Sequence, residues 1–219
     1  MRLYIIRHGD PDYKNDTITE LGHKQAVALA EWFNKIKLDE IYTSSMGRAK
    51  DTAKYTCERQ NITPVVLPWT SENAAYVRQL TPENEISFQF SLEKGVEDLI
   101  DDRKDYAEYY SRLTEEMDAF LESYGYRRQG ANYKITMPNE KHIAIFCHGG
   151  FGTALTAHLL GLPPAVGFSS MFMTTSSVTT FEFKDYNQNG FTRPRMIRFG
   201  ETAHLQLKGF NSDLVTTCL

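Results

Sequence analysis

Residues 143–150 have the sequence IAIFCHGG, an apolar run that ends in a histidine and two glycines. The five apolar residues do not alternate with polar ones, which is typical of a strand buried on both faces of a parallel sheet. The glycines allow a sharp turn into a helix, and we expect that helix to end at Gly161, before Pro163 and Pro164. The stretch therefore predicts a strand–turn–helix unit of an α/β fold.

The same pattern occurs near the beginning of the chain. Residues 3–9 have the sequence LYIIRHG, so His8 follows one predicted strand as His148 follows the other. Ligands of open α/β sheets bind outside the carboxyl ends of the strands, where helix N-termini present free N–H groups to anions. We therefore expect both His-Gly corners to lie at one edge of the sheet, in an anion-binding site.

The rest of the chain alternates predicted strands with predicted helices. Apolar residues at helical spacing predict a helix from about residue 19 to residue 37 and a long helix over residues 96–124. We expect a mostly parallel sheet with helices on both faces and an antiparallel edge, in one domain that spans residues 1–219. The other expected elements are a loop at 10–16, strands at 40–44 and 65–67, a helix at 47–60, a loop or small hairpin at 125–141, and strands at 178–183 and 195–199 around a turn at Asn189-Gly190.

The composition excludes several classes of partner. The chain has 219 residues, with 24 Lys and Arg against 28 Asp and Glu and a formal net charge of −4. This balance provides no basic surface for nucleic acid or for an anionic membrane. The longest apolar run, about five residues, is too short for a membrane span or a secretory signal. The three cysteines, Cys57, Cys147 and Cys218, are not spaced as metal ligands. We expect a cytoplasmic protein that binds no metal, nucleic acid or membrane.

Two arginines are expected beside the paired histidines. Arg7 precedes His8, and Arg48 opens the predicted helix after the strand at 40–44. Guanidinium groups bind phosphate bidentately and stay charged at any working pH. Glu72 follows the next strand at the same edge, where a carboxylic acid can protonate a leaving group. The predicted phosphate pocket consists of Arg7, His8, Arg48 and His148.

Four motifs in this order carry a resemblance to a known family. They are Arg7-His8-Gly9, Thr19-Glu20-Leu21-Gly22, the run SSMGRAKDTA at residues 44–53, and His148-Gly149-Gly150. Together they resemble the histidine phosphatase superfamily, the phosphoglycerate-mutase-like enzymes, over most of the chain apart from a divergent insertion at about residues 73–140. The resemblance implies a three-layer α/β/α sandwich with a mostly parallel central sheet and a helical insertion. It also implies a phosphatase that needs neither metal nor cofactor.

The same resemblance implies a role for each candidate residue. His8 is the nucleophile that forms phosphohistidine, and Glu72 is the general acid. Arg7, Arg48 and His148 bind the phosphate together with His8, and His148 also counts among the catalytic residues.

The sequence departs from the family pattern in two places. Residues 73–76 lack the glycine-containing stretch that often follows the family's acid, so Glu83 or Glu85 is an alternative to Glu72. Asp10-Pro11-Asp12 stands where the family commonly has Glu or Gln and a Thr. Lys14 or Asn15 takes the place of the family's usual loop asparagine, and the sequence does not decide between them.

Three functions are consistent with this pocket. The first is hydrolysis of a small phosphorylated substrate through phosphohistidine, the second is a phosphoglycerate mutase, and the third is a non-catalytic module that binds a phospho-ligand. A mutase must hold a second anionic group, yet residues 70–98 contain two basic side chains, Arg78 and Lys94, against six acidic ones. This balance favours the phosphatase and disfavours a highly anionic substrate. We expect His204, which could support the pocket from behind, to be structural.

Overall fold

The structure is a computed structural model that describes residues 1–72, 104–164, 167 and 170–210. Its strands are β1 (Arg2–Arg7), β2 (Pro11–Asp12), β3 (Thr17–Ile18), β4 (Glu40–Thr43), β5 (Val65–Val66), β6 (Tyr126–Gln129), β7 (Asn132–Ile135), β8 (His142–Cys147), β9 (Val178–Glu182), β10 (Phe191–Thr192) and β11 (Arg195–Glu201). Its helices are α1 (Glu20–Phe33), α2 (Gly47–Gln60), α3 (Lys104–Ser123), α4 (Gly149–Leu160) and α5 (Ala203–Gln206), with a 3₁₀ turn at Pro68–Thr70.

Strands β1 and β8 lie side by side at the centre of a six-stranded sheet. The strand order is β11-β9-β1-β8-β4-β5, and β1, β8, β4 and β5 are parallel. β9 is antiparallel to β1 and to β11, which gives the expected antiparallel edge. In the β1–β8 register Leu3 lies opposite Ile143 and Arg7 opposite Cys147. Both strands therefore end at the same edge, as predicted.

Helices cover both faces of this sheet. On one face Leu3 and Ile5 pack in a cluster with side chains of α3 and α4, including Leu113 and Phe151. On the other face Tyr4 and Ile6 pack with side chains of α1 and α2, such as Phe33 and Ala53. Burial on both faces explains why the central strands show no polar alternation. The predicted three-layer α/β/α sandwich with a mostly parallel sheet is confirmed.

The first helix is shorter than predicted. It begins at Glu20 as expected, because the Thr19 hydroxyl caps it by accepting the Gly22 N–H at 3.1 Å. It ends at Phe33 instead of residue 37. The Gln60 amide of α2 donates to the carbonyls of Phe33 and Ile36 at 2.9 and 3.1 Å, so a side chain from another helix satisfies the end of α1. Ile36 still packs against the core, which is why its apolar spacing suggested a longer helix.

Several other elements refine the prediction. The segment expected to be a loop at 10–16 contains β2, which pairs with β3 in a two-residue ladder. Residues 125–141 form the small hairpin of β6 and β7, and β10 adds to β7 beyond the turn at Asn189-Gly190. α2 has the predicted bounds.

The long helix is described from Lys104, and its predicted residues 96–103 lie outside the described ranges. None of the helices described has the length and apolar character needed to cross a membrane.

Candidate active site

The carboxyl ends of β1 and β8 bring the two predicted histidines together. The His8 and His148 rings lie with their centroids 5.2 Å apart, and both side chains are buried. The backbone N–H of His8 donates to the backbone carbonyl of Cys147 at 2.9 Å. The hydrogen bonding between β1 and β8 therefore continues one residue beyond β1, into the site. The pair is thus positioned by backbone pairing of the two central strands.

His8 is held as a neutral imidazole. Its Nδ1 donates to the Gly9 carbonyl oxygen at 2.7 Å, and since a carbonyl only accepts, the proton is on Nδ1. Burial, reinforced by the Arg7 charge, lowers the pKa of His8 to about 3. At neutral pH Nε2 is therefore unprotonated, as a nucleophile requires.

His148 is also neutral, and one of its ring nitrogens has no hydrogen-bond partner among the described residues. Its Nε2 lies 2.8 Å from the Ser44 hydroxyl at the end of β4. Burial, together with His8 and Arg48, lowers its pKa to about 2. Nδ1 is buried and has no hydrogen-bond partner within the described residues. A buried unpaired polar atom is costly, and a ligand atom at this position would satisfy it.

The two arginines are buried and only partly satisfied. Arg7 Nη1 donates to the Met173 carbonyl at 2.5 Å, and Arg48 Nη1 donates to Asp16 Oδ1 at 2.7 Å. The Nε atoms of both guanidinium groups are buried without a partner among the described residues. Two buried cations with free N–H groups beside two neutral imidazoles make a site that favours an anion.

Gly149 allows the close approach of α4 to Arg7. A Cβ at this position would lie 3.2 Å from Cζ and Nε of the Arg7 guanidinium, tighter than an ordinary contact. The first glycine of the His148-Gly149-Gly150 corner thus leaves room for the side chain of Arg7.

Glu72 lies at the N-terminus of α4. Its two carboxyl oxygens accept the N–H groups of Gly150 and Phe151 at 3.2 and 3.1 Å. Burial raises the pKa of Glu72 and outweighs the opposing effects of these two hydrogen bonds and of the Arg7 charge. Its carboxyl group therefore stays protonated to a higher pH than an ordinary glutamate. The alternatives Glu83 and Glu85 lie outside the described residues.

The loop after β1 contributes two residues that the sequence did not single out. Asp16 accepts the Gly47 N–H at 2.7 Å as well as pairing with Arg48. The Tyr13 ring lies 5.4 Å from the Arg48 guanidinium and meets the His8 ring edge-on. Lys14 is exposed, and the Asn15 amide donates to Asp12 at 2.7 Å instead of reaching the histidines. Neither candidate for the family's loop asparagine therefore contacts the pocket residues in this structure.

A segment before β9 supports the pocket from behind. The Ser176 N–H donates to the His8 carbonyl at 2.9 Å, and the Ser177 carbonyl accepts the Arg7 N–H at 3.1 Å. Ser176 has a left-handed backbone with φ of 62°, and its hydroxyl lies 3.1 Å from His204 Nε2. His204 thus supports the pocket through Ser176. The only signal for this in the sequence is the position of a histidine after the last strand.

No metal site is recognisable in the ranges described, since no three His, Cys, Asp or Glu side chains there cluster suitably for an ion. The Arg7, His8, Arg48, Glu72 and His148 side chains do converge on one region. That arrangement can bind a tetrahedral anion, present it to His8 Nε2, and supply a proton from Glu72.

Comparisons with known proteins agree with this geometry. A probable phosphatase of Schizosaccharomyces pombe is 25% identical over 223 residues, covering 94% of this chain and 96% of the relative. A probable phosphoglycerate mutase, GpmB, of Yersinia enterocolitica is 24% identical over 180 residues, covering 75% of this chain and 77% of the relative.

Solved structures share the fold. A mycobacterial glucosyl-3-phosphoglycerate phosphatase has a TM-score of 0.65 at 22% identity, covering 92% of this chain and 99% of that one. A phosphoserine phosphatase of Entamoeba histolytica, solved with 3-phosphoglyceric acid, has a TM-score of 0.66 at 18% identity, covering 93% and 98%. The family model for branch 1 of the histidine phosphatase superfamily matches residues 3–190, and the chain belongs to that family.

Proposed function

We propose that this protein hydrolyses small phosphate monoesters through a phosphohistidine on His8. The observation that carries the proposal is the neutral His8, whose Nε2 is unprotonated beside the buried arginines Arg7 and Arg48. Membership of the family supports it, as do relatives and structural neighbours named as phosphatases. The neighbours' names, which include a phosphoserine phosphatase, support a small phosphorylated substrate.

In the first step His8 Nε2 attacks phosphorus, and the bond from phosphorus to the leaving oxygen breaks. Glu72 gives its proton to that oxygen, so the alcohol departs neutral. Its raised pKa suits this role, because an ordinary glutamate is almost fully ionised at neutral pH. The hydrogen bond from His8 Nδ1 to Gly9 keeps the reacting nitrogen in the right tautomer and stabilises the charge that forms on the ring.

The equatorial oxygens of the phosphoryl group need positive charge and N–H donors. We assign these to the Arg7 and Arg48 guanidinium groups and to His148 Nδ1–H, with the Ser44 hydroxyl donating to His148 Nε2. Such fixed donors stabilise the transition state without reorganising. Because the chain's own cations fulfil this function, we propose that the reaction needs no metal.

In the second step water attacks the phosphohistidine. The ionised Glu72 takes a proton from that water, the bond between phosphorus and Nε2 breaks, and its electron pair returns to the imidazole. Inorganic phosphate leaves, and the residues regain their first protonation states. One displacement is thus split into two easier ones, as in other covalent mechanisms.

We further propose that the protein works in the cytoplasm and forms a single domain over residues 1–219, with an insertion at about 73–140. The buried thiols Cys57 and Cys147 are free, which suits a reducing compartment. α3, which belongs to the insertion, packs its apolar face onto the core of the sheet, and this supports one domain.

The proposal is tested by phosphate release from a panel of phosphomonoesters, with phosphoglycerate mutase activity assayed in parallel. We expect His8→Ala to abolish hydrolysis and the acid-labile phosphoenzyme, while a chelator leaves the wild type unchanged. The matched control is His23→Ala, since His23 is exposed on α1 away from the pocket. Wild-type rates in His8→Ala, or mutase activity exceeding hydrolysis, would contradict the proposed function.

A further inference from the structure

Asp16 caps the beginning of α2 from a loop that is distant in the sequence. Its Oδ2 accepts the Gly47 N–H at 2.7 Å, whereas Met46, the residue at the N-cap position, makes no side-chain hydrogen bond to the helix. The other carboxylate oxygen, Oδ1, accepts Arg48 Nη1 at 2.7 Å. One carboxylate therefore binds both the first backbone N–H of the helix and the side chain of a pocket arginine.

The backbone fixes Asp16 in this position. A Cβ on residue 47 would lie 2.0 Å from the Asp16 carbonyl oxygen, so only glycine allows the loop to approach the helix this closely. Asp16 itself has a left-handed backbone with φ of 49°, which aspartate and asparagine adopt more readily than most residues. The contact is thus built into the backbone, unlike an exposed ion pair between flexible side chains.

The salt bridge to Asp16 distinguishes Arg48 from Arg7. Arg7 Nη1 donates to the neutral carbonyl of Met173, whereas Arg48 Nη1 donates to a carboxylate. Burial opposes ionisation of Asp16, but the hydrogen bonds from Gly47 and Arg48 outweigh it and lower the pKa, so the group is charged at neutral pH. The carboxylate therefore offsets part of the positive charge that Arg48 presents to an anion.

Asp16 binds one end of the guanidinium group and leaves the rest for a ligand. Arg48 Nε is buried without a partner among the described residues, and Nη2 donates to the Met46 sulfur, a weak acceptor, at 3.3 Å. The ring of Tyr13, from the same loop as Asp16, lies 5.4 Å from the guanidinium carbon. The loop therefore restrains Arg48 at one end and over one face, while Nε is left to be satisfied.

We propose that Asp16 is a positioning residue with two effects on the reaction. It fixes Arg48 where the guanidinium stabilises the transition state, and its negative charge weakens the binding of phosphate in the ground state. Only interactions that are stronger in the transition state than in the ground state accelerate the chemical step. A fixed arginine of reduced net charge meets this condition better than a free one that binds any phosphate tightly. The inference rests on the proposed function and adds a residue that acts through Arg48.

The test measures the hydrolysis of p-nitrophenyl phosphate, and its inhibition by inorganic phosphate, in Asp16→Asn and Asp16→Gly. Asparagine offers one acceptor oxygen to two donors, glycine offers none, and both tolerate the left-handed backbone. We expect kcat to fall by about 10–100-fold, because displaced positioning groups are costly. Phosphate should nevertheless inhibit both variants at about three- to fivefold lower concentration, the effect of removing one partly exposed charge. General damage to the pocket would weaken phosphate binding instead.

Arg48→Gln provides a second readout, since Asp16 is proposed to act through Arg48. In that background Asp16→Asn should lower kcat little further. The matched control is Asp12→Asn, which removes a carboxylate from the same loop. Asp12 Oδ1 accepts the backbone N–H groups of Lys14 and Asn15, and an amide oxygen can accept them as well. This control should behave like the wild type.

Three results would each overturn the inference: full kcat in both Asp16 variants, inhibition by phosphate that is unchanged or weaker, or losses that add fully to that of Arg48→Gln. Hydrolysis that depends on His8 would leave the proposed function standing in all three cases. If the wild type does not hydrolyse p-nitrophenyl phosphate, the proposed function itself fails, and this inference with it.

Discussion

At the scale of single residues, burial tunes three side chains in the pocket in ways that suit their proposed roles. Desolvation disfavours the charged form, so it lowers the pKa values of His8 and His148, which stay neutral, and raises the pKa of Glu72. The same physical cause thus suits all three proposed roles, those of nucleophile, neutral hydrogen-bond donor and acid. The sequence predicts these residue types at this sheet edge, but it contains no measure of how deeply each is buried.

The role of Glu72 is tested by changing the leaving group. Glu72→Gln should slow hydrolysis of an alkyl phosphate by about 10²–10⁴-fold, the usual contribution of general acid catalysis. It should spare much more of the activity on p-nitrophenyl phosphate, whose leaving group departs readily as an anion. Steady-state kinetics on both substrates measure the contrast.

Glu58→Gln serves as the matched control, because Glu58 is exposed on α2. Equal losses on the two substrates would indicate damage to the pocket. Wild-type behaviour of Glu72→Gln on both would mean that another group is the acid, and Glu83 and Glu85 would be tested next in the same way.

At the scale of elements, the N-terminus of α4 positions Glu72 by hydrogen bonds and leaves space for the side chain of Arg7. Its N–H groups hold Glu72, and its first residue, Gly149, leaves space for Arg7. An N-terminus at this edge is predictable from the turn at His148-Gly149-Gly150, and we expected it to attract an anion. In the structure the carboxyl group of Glu72 takes that position, and the phosphate site that we propose is made by side chains.

Gly149→Ala should separate activity from stability. The added methyl group would crowd the Arg7 guanidinium at 3.2 Å, and because the end of a flexible side chain can shift, the fold should survive. Alanine is also the better helix former. We expect thermal stability at or above that of the wild type and a loss of about 10–100-fold in kcat/KM, since small displacements of positioning groups are costly. A stable variant with full activity would show that the position of Arg7 matters little.

At the scale of the whole molecule, most of the architecture could be predicted from local patterns. The buried runs of β1 and β8, the bounds of α2 and the end of α4 at Gly161 all follow from periodicity and turn residues. What could not be predicted depends on contacts distant in sequence. Gln60 ends α1, Asp16 reaches Arg48, and Ser176 braces His8, each across many intervening residues. No local pattern contains that information.

The buried histidines also affect the stability of the whole fold. Burial lowers the pKa values of His8, His148 and His204 to about 3, 2 and 4, whereas an unfolded histidine titrates near 6.5. Between about pH 6.5 and pH 4 the unfolded chain therefore binds more protons at these positions than the native state does. The stabilisation of the native state that depends on these neutral histidines is therefore fully present above about pH 6.5 and is lost as the pH falls below that value.

We therefore expect the free energy of unfolding to drop by about 2 kcal/mol for each of the three histidines between pH 7 and pH 5. Urea unfolding in phosphate-free buffers measures the drop, since a bound anion would stabilise the native state. His204→Asn should reduce the pH dependence by about a third, because one group no longer takes up a proton on unfolding. Calorimetry in buffers of different ionisation heat counts those protons independently. The raised pKa of Glu72 acts in the opposite direction, so the comparison of the two proteins is decisive. If the wild type and His204→Asn lose the same free energy of unfolding between pH 7 and pH 5, His204 is not held neutral in the native state.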